Sequence, residues 1–438
     1  MVPLEVTIQL NSPLFLGAQK QGNVSETLTF LPGTTLRGAM GKLLAEQCGH
    51  CPDAHSDCDF AVIFSEKIQP RFGPCYPSLS SFSYPFPATA RQCKHYPGFK
   101  SKNKNETDDY HGIHDILIPL FANEEAIAHS SKNHQKIKAY RPECEICNAK
   151  LEPVSGFYES SGRAYLHPRP RIMRLSRTAI NRRRNVAADQ LLYTLELISE
   201  QISGLSDPNG HAHFEPTKFR GKIWAEDEAQ SALLEKMLPM ITHIGGATSR
   251  GLGSVAVRVE KPLRKTQPEP ENAAEELANA ASKLDFGLKA PSGSLTYRLA
   301  LFNQALNDAF KADSDLALNH PSLYFSVDCL SDVVFPKGGL QTTLLPEKFA
   351  GARRMRSFSK PARLSGFSGA TGLMRSPQLA IGRGSVFLYR LEPATPESVK
   401  SALEILYAAE NQGLGQNKER GFGLVQICSP FHLEVKPI

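Results

Sequence analysis

No stretch of this chain approaches the roughly 20 consecutive apolar residues that a membrane span requires. Its opening residues, MVPLEVTIQLNSP, lack the basic-then-apolar pattern of a secretory leader. Both absences predict a soluble, cytoplasmic protein with no membrane partner. A Gly-Lys-Ser or Gly-Lys-Thr step is missing too, so no Walker phosphate loop is present. Nor is one charge sign in large excess: 50 Lys and Arg stand against 44 Asp and Glu, a formal charge of +6, which by itself excludes little. Where the positive charge lies is more informative. Arg169, Arg171, Arg174, Arg177, Arg182, Arg183 and Arg184 fall in one short segment, and Arg353, Arg354, Arg356, Lys360 and Arg363 in another. Such clusters suit a polyanionic partner, although a pair of solvated loops has the same look.

Nine cysteines in a cytoplasmic chain point to metal ligands or small buried residues rather than disulfides, because that compartment keeps thiols reduced. Cys48-Gly-His-Cys51 and Cys144-Glu-Ile-Cys147 are both C-x2-C knuckles, in which two thiolates converge on one tetrahedral ion. Cys58 follows the first knuckle, and Cys93 and His95 lie between the two, enough for one structural zinc site or two. His50, His55, His95, His111 and His114 are candidate fourth ligands. Cys75, Cys329 and Cys428 lack such spacing, and Cys428 lies in an apolar run that predicts burial.

Leu4, Val6, Ile8 and Leu10 alternate with polar residues, which predicts a half-buried strand. Pro32 and Gly33 then break the chain, Thr34 or Thr35 can cap a helix, and Ala39, Leu43 and Leu44 supply its apolar positions. From 48 to about 162 the periodicity fades into Pro, Ser, Asn, His and Cys, predicting an insertion held by metal rather than by an apolar core. Strands are expected again at Leu191–Ile198 and Phe219–Trp224, and a helix through Leu233, Met237, Ile241 and Ile244.

That helix runs into Arg250-Gly-Leu-Gly253-Ser-Val255. Near the end of the chain a second helical stripe, Val399, Leu403, Leu406 and Tyr407, runs into Arg420-Gly-Phe-Gly423-Leu-Val425. Each loop follows a helix and precedes a strand, so the motif marks an internal duplication. The helix-loop-strand order is the reverse of a dinucleotide fingerprint. Residues 1–260 and 294–438 are the expected domains. Residues 261–293, proline-bearing around an acidic, alanine-rich stretch, read as a linker with room for one short helix, and the alternation Leu295, Tyr297, Leu299, Leu301 opens the second domain. Gly251, Gly253, Gly421 and Gly423 permit a tight turn between helix and strand. They also permit close backbone approach to a phosphate through exposed N–H groups, with Arg250 and Arg420 alongside.

Helix, glycine-rich loop and strand at the end of an α+β, ferredoxin-like (RRM-like) domain resemble the RAMP superfamily of CRISPR-associated proteins. Pro32-Gly-Thr-Thr-Leu-Arg37-Gly38, Arg177-Thr-Ala-Ile-Asn-Arg182-Arg183-Arg184, and Leu364-Ser-Gly-Phe-Ser-Gly369 leading to Ala380-Ile-Gly-Arg-Gly-Ser-Val-Phe387 are similar to segments of that superfamily. The nearest resemblance is to the type III-D subunit that caps the 5′ handle of a CRISPR RNA. It implies RRM-like domains and a role in antiviral defence; with the duplicated loop these are expected as two in tandem, and with the cysteine spacing the insertion in the first is expected to bind zinc. The implied partners are crRNA, other RAMP backbone subunits and the large polymerase-like subunit. The residues expected to contact RNA, from the charge clusters, the repeated loops and the matched motifs together, are Arg37, Arg177, Arg182, Arg183, Arg184, Arg250, Arg353, Arg354, Arg356 and Arg420, with the four loop glycines.

Target-slicing relatives carry an Asp between first strand and first helix. Here that loop, Gly17 to Thr27, has Ser25 and Glu26 but no Asp, so slicing is not expected. The alternative activity is metal-independent processing of repeat RNA by a histidine acting as general acid or base, for which His111 and His114 are the candidates and His167 a third. Phe367, Phe422 and Tyr165 are available to stack on bases.

Overall fold

The opening strand has the one-sided burial its alternation predicts: Leu4, Val6, Ile8 and Leu10 of β1 (Val2–Leu10) turn inward. The computed structural model describes residues 1–48, 58–64, 69–99, 110–133, 137–161, 164–181, 183–184, 186–203, 214–262, 272–287, 291, 293–313, 321–337, 340–368 and 372–434. After β1 comes α1 (Gly33–Cys48), buried along Leu36, Met40 and Leu44. Those positions are four apart, so the helix is turned slightly from the expected Ala39 and Leu43 face, and these two sit at the edge of the core.

The chain continues through β2 (Arg71–Phe72) into a module of β3 (Ala90–Cys93), β4 (Ile113–Asp115), α2 (Leu117–Asn133) and β5 (Leu151–Pro153). A long hairpin follows, β6 (Pro170–Asn181) and β7 (Val186–Ser203), then β8 (Lys218–Ala225), α3 (Glu228–Met237) and β9 (Val255–Glu260). Asp227 caps α3 by accepting from the Gln230 amide at 2.8 Å. The first sheet runs β9-β1-β8-β2, all neighbours antiparallel, with Leu4 opposite Ile223 and Ile8 between Phe219 and Val257.

The second half comprises α4 (Ala273–Lys283), α5 (Leu295–Asp313), β10 (Leu323–Cys329), β11 (Ala352–Phe358), the hairpin β12 (Pro361–Ser368) and β13 (Leu373–Ile381), β14 (Val386–Leu391), α6 (Pro396–Gln412), β15 (Val425–Ile427) and α7 (Phe431–Glu434). Its sheet runs β15-β10-β14-β11, again antiparallel throughout. Each sheet has a fifth, short strand, Tyr76–Ser78 beside β8 and Lys348–Phe349 beside β11; leaving it aside, the four main strands of both sheets stand in the order fourth, first, third, second. The halves differ in their first crossover, where α1 precedes β2 but no helix occurs among the described residues between β10 and β11.

Three segments depart from the sequence reading. Leu295 to Leu301 is helical: Leu295, Leu299, Phe302, Leu306 and Phe310 are buried while Leu301 is exposed, so a four-residue alternation gave way to a longer 3.6-residue period. The span expected as a linker with room for one short helix holds α4, and rather than standing clear it buries Leu277, Ala278 and Ala281 in the second half's core. The insertion is not held by metal alone. Leu117, Ile118 and Phe121 of α2 enter that same core, with the Phe121 ring 5.7 Å from Tyr324 and 6.1 Å from Phe310. Each such side chain adds about 1.5–3 kcal/mol on burial, so hydrophobic packing anchors the module.

A buried ionic knot fastens the same junction. His432 of α7 is fully enclosed, with Nδ1 3.1 Å from Asp115 Oδ1 of the module and Nε2 2.7 Å from Asp328 Oδ1 of β10. Thr89 donates to Asp115 at 2.5 Å and Ser326 to Asp328 at 2.7 Å. Burial alone would depress the imidazole, but the two carboxylates raise it to about 10. Burial likewise opposes ionisation of Asp115, yet His432, Thr89 and the Leu117 amide hold its carboxyl below the ordinary value.

Candidate nucleic-acid interface and metal centre

The two glycine loops are the same structure. Ala247 and Asn417 each enter a single 3-10 turn in the left-handed region, and Gly251 and Gly421 leave it there, at φ 82° and 86°. Arg250 N donates to Ala247 O at 2.9 Å and Arg420 N to Asn417 O at 3.0 Å. The Ile244 amide reaches Gly253 O as the Leu414 amide reaches Gly423 O, both at 2.8 Å. Ser254 N is held by the Ser12 hydroxyl and Leu424 N by the Ser331 hydroxyl, both at 2.9 Å. Beyond the first strand of each half, Leu14 exchanges backbone hydrogen bonds with Ile198, and Val333 with Ile381, tying each loop to the long hairpin of its own half.

This geometry revises the expectation of free glycine amides. Gly251 N donates to Thr248 O, Gly421 N to Lys418 O, Gly253 N to Pro13 O and Gly423 N to Asp332 O, at 2.8–3.2 Å. A Cβ on Gly253 would stand 2.0 Å from Ile244 O, and one on Gly423 1.9 Å from Leu414 O. These glycines are required by close backbone packing and positive φ, and phosphate contact at the loops is left to side chains.

Two arginine groups form around these turns. Arg250, exposed, donates from Nη1 to the Tyr193 hydroxyl at 2.9 Å, and Arg177 lies directly across the hairpin from Tyr193. In the second group Arg37 of α1, Arg375 of β13 and Arg420 act on one another. Burial lowers the Arg37 pKa, Glu419 opposes this, and Arg420 and Arg375 add to it. Arg37 also donates to Gln69 at 2.7 Å and lies 4.7 Å from the Phe64 ring centre. Three cations with one nearby carboxylate make a positive surface shared by both halves. Sequence reasoning missed Arg375, an isolated arginine that β13 carries towards Arg420.

The remaining arginines divide. Arg183 and Arg184 are exposed between β6 and β7, and Arg182 lies outside the described residues. Arg174 pairs with Glu196 at 3.0 Å. The second cluster is partnered within the fold: Arg353 lies 3.7 Å from Glu347, Arg354 donates to Leu345 O, and Arg356 Nε reaches Glu124 of α2 at 2.6 Å. Of the aromatics, Phe422 is half-buried, Tyr165 stacks on Phe99 at 5.4 Å, and the Phe367 side chain lies outside the described residues.

Cys93 at the end of β3, His111, Cys144 and Cys147 form a compact donor group whose ligand atoms all lie within 4.8 Å of one another. Cys93 Sγ is 3.5 Å from Cys147 Sγ, and His111 Nδ1 is 3.3 Å from Cys144 Sγ. Donors on a tetrahedral ion, with metal–sulfur bonds near 2.3 Å, stand roughly 3.5–3.8 Å apart, so the set fits. The Cys144 thiol is lowered to about 7: burial opposes ionisation, but the Cys147 and Ile146 amides and His111 favour the thiolate a metal needs. Cys48 closes α1 and Cys58 precedes the helix Asp59–Phe64; neither belongs to this group, and Cys51 lies outside the described residues.

The candidate histidines lie in three different settings. His111 is in the donor set with its ring 4.2 Å from Tyr96, and His114 is buried on β4 opposite Arg91. His167 packs edge-on to Phe86 at 4.9 Å, and burial and Arg169 push its pKa down to about 4. The loop between β1 and α1 forms the short strands Gly17–Gln21 and Val24–Thr27, with Ser25 and Glu26 half-buried.

The family model described as the RAMP superfamily matches residues 7–256. No curated protein matches the chain. Among solved structures it is similar, at 12% identity and a TM-score of 0.41, to a chain of the type III-B Cmr-beta complex bound to cognate target RNA and AMPPnP, covering 88% of this chain and 86% of that one. A chain of the apo state of Cmr-beta gives 12% identity and a TM-score of 0.30 over 60% of this chain and 99% of that one. A chain of a type IV-B CRISPR complex gives 11% and 0.25 over 61% and 95%.

Proposed function

The chain belongs to the RAMP superfamily, and from that premise we propose that it is a non-cleaving RNA-binding subunit of a type III CRISPR effector, nearest to type III-D, gripping the 5′ handle of crRNA. The observation that carries this reading is the convergence of Arg37, Arg375 and Arg420 from the two halves, with Arg250 and Arg177 flanking Tyr193 in the first. Lone arginines are common on surfaces. Two groups set around one repeated turn, each beside a long hairpin, supply the spaced cations that hold a phosphate chain. Exposed Ile180, Leu192, Leu373 and Met374 on those hairpins offer apolar contact to unstacked bases.

The fourth-first-third-second strand order in both sheets supports reading the halves as two RRM-like units with the metal module inserted in the first. We assign zinc to the Cys93, His111, Cys144 and Cys147 set, because three thiolates and one imidazole are a structural, closed donor set for that ion. The partners under this reading are crRNA, neighbouring RAMP subunits and the large polymerase-like subunit, in the cytoplasm.

Incubating the purified chain with single-stranded CRISPR-repeat RNA in EDTA tests the function. Binding with intact RNA is expected. Cleavage under those conditions would favour the processing endoribonuclease instead, and absence of binding would remove the RNA reading. Metal analysis of the purified chain should return about one zinc per chain for this set, reduced in Cys144→Ser.

A further inference from the structure

A cleft of about 730 Å³ opens between the roots of the two long hairpins. Pro170 begins β6, Pro361 and Ala362 begin β12, and Gly382 and Arg383 follow β13, and all of these line it. Gln92 of the module also lines it, with Ser155 just beyond the module and His167 just before β6. Its volume falls within the range of small-ligand clefts, and five prolines in its lining stiffen the walls before anything binds.

Its polar groups are unevenly satisfied. Arg383 is neutralised by Asp332, whose Oδ1 accepts from the Arg383 amide at 2.8 Å and whose Oδ2 lies 3.2 Å from Nη1. Lys360 donates to Phe86 O at 3.1 Å, and among the described residues no carboxylate pairs with it. An ammonium has three donors, so Lys360 retains capacity for an anion. Burial, then Arg383 and Arg91, lowers its pKa to about 8. Arg169 is exposed at the rim, its guanidinium 3.0 Å from His167 Nδ1. Gln92 is the second, independent sign. Its side-chain oxygen is buried with no hydrogen-bond partner among the described residues, an arrangement that costs about 1–3 kcal/mol unless something else supplies the bond.

We propose that this cleft takes one unstacked nucleotide of a bound single-stranded RNA, its phosphate on Lys360 and Arg169 and its base between His167 and the Gln92 amide. The inference rests on the RNA-binding reading above and adds a base-reading site to it. A primary amide can bond a base edge, and the neutral His167 ring offers a face to stack on without adding charge. The metal cluster adjoins this wall, since Cys93 follows Gln92 on β3, so the metal would fix the strand that carries the reading residue.

The test uses the full chain with a single-stranded RNA carrying 4-thiouridine, cross-linked by light and mapped by mass spectrometry, beside anisotropy titrations of Ser155→Trp. Ser155 is exposed in the cleft lining, so the indole plugs the space from its rim. Cross-links are expected in the peptides carrying Gln92, His167 or Lys360, with RNA affinity of Ser155→Trp lowered about tenfold. If Ser155→Trp fails to fold, Gln92→Leu replaces it and must abolish the cross-links at that wall. RNA bound with full affinity by the plugged or Gln92→Leu chain, cross-linked only along the hairpins, would overturn the cleft and leave the RNA reading standing. An unmodified chain that binds no RNA would overturn both.

Discussion

Ile244–Val255 and Leu414–Val425 share the hydrogen bonds of the turn itself, yet they rest on different neighbours. The first turn leans on Phe15 and the root of β6 and β7, with Arg250 on Tyr193. The second crosses to the other half: a Cβ on Gly421 would stand 2.2 Å from Phe72 O of β2, whereas one on Gly251 meets nothing within 4 Å. A repeated turn has thus become a local brace in one copy and a link between halves in the other. The outer parts diverge further, because only the first half carries an inserted module, and that module is clasped to the second half through α2 and His432.

The largest expected effect tests that clasp. His432→Ala leaves Asp115 and Asp328 buried without their cation and should cost about 3–5 kcal/mol, read by thermal or denaturant unfolding. Its pH signature follows from the raised imidazole. Stability contributed by a group held at about 10 against an ordinary 6.5 is complete below pH 6.5 and is lost as pH rises through 10. The melting-temperature gap between wild type and His432→Gln should therefore narrow across that window. A gap that widens with pH would show the imidazole to be neutral in the fold.

A sharper probe of the comparison is the matched pair Gly421→Ala and Gly251→Ala. Both residues have φ above 80°, so both substitutions strain the backbone by about 1 kcal/mol. Only Gly421→Ala adds the collision with Phe72 O, and its cost should be about 2–3 kcal/mol by chemical denaturation. Equal costs would mean that the second turn does not bear on the first sheet.

Much of this architecture is legible in the sequence, for identifiable reasons. Arg250-Gly-Leu-Gly253 and Arg420-Gly-Phe-Gly423 announce the repeated turn because Gly253 and Gly423 leave no room for a Cβ. The knuckle Cys144 to Cys147 declares a donor pair, but its partners Cys93 and His111 are selected only when β3 and the Gly112 turn are in place. Short windows mislead where two periods coincide, as at Leu295 to Leu301. Clustering also says little about pairing: Arg353, Arg354 and Arg356 each have a partner within the fold, whereas solitary Arg375 joins Arg37 and Arg420. The knot of Asp115, Asp328 and His432 leaves no local trace, since its members come from three distant segments.

The smallest expected effects in free energy bear most directly on the central claim. Anisotropy titrations of single-stranded repeat RNA at several salt concentrations, with wild type, Arg250→Ala, Arg420→Ala and the double variant, separate phosphate grip from folding. Each substitution is expected to weaken binding and flatten the dependence of log affinity on log salt by about 1, with the double variant flattening it by about 2. Isotherms and salt slopes identical to wild type in the folded double variant would contradict the claim that these paired turns carry the arginines that hold the RNA.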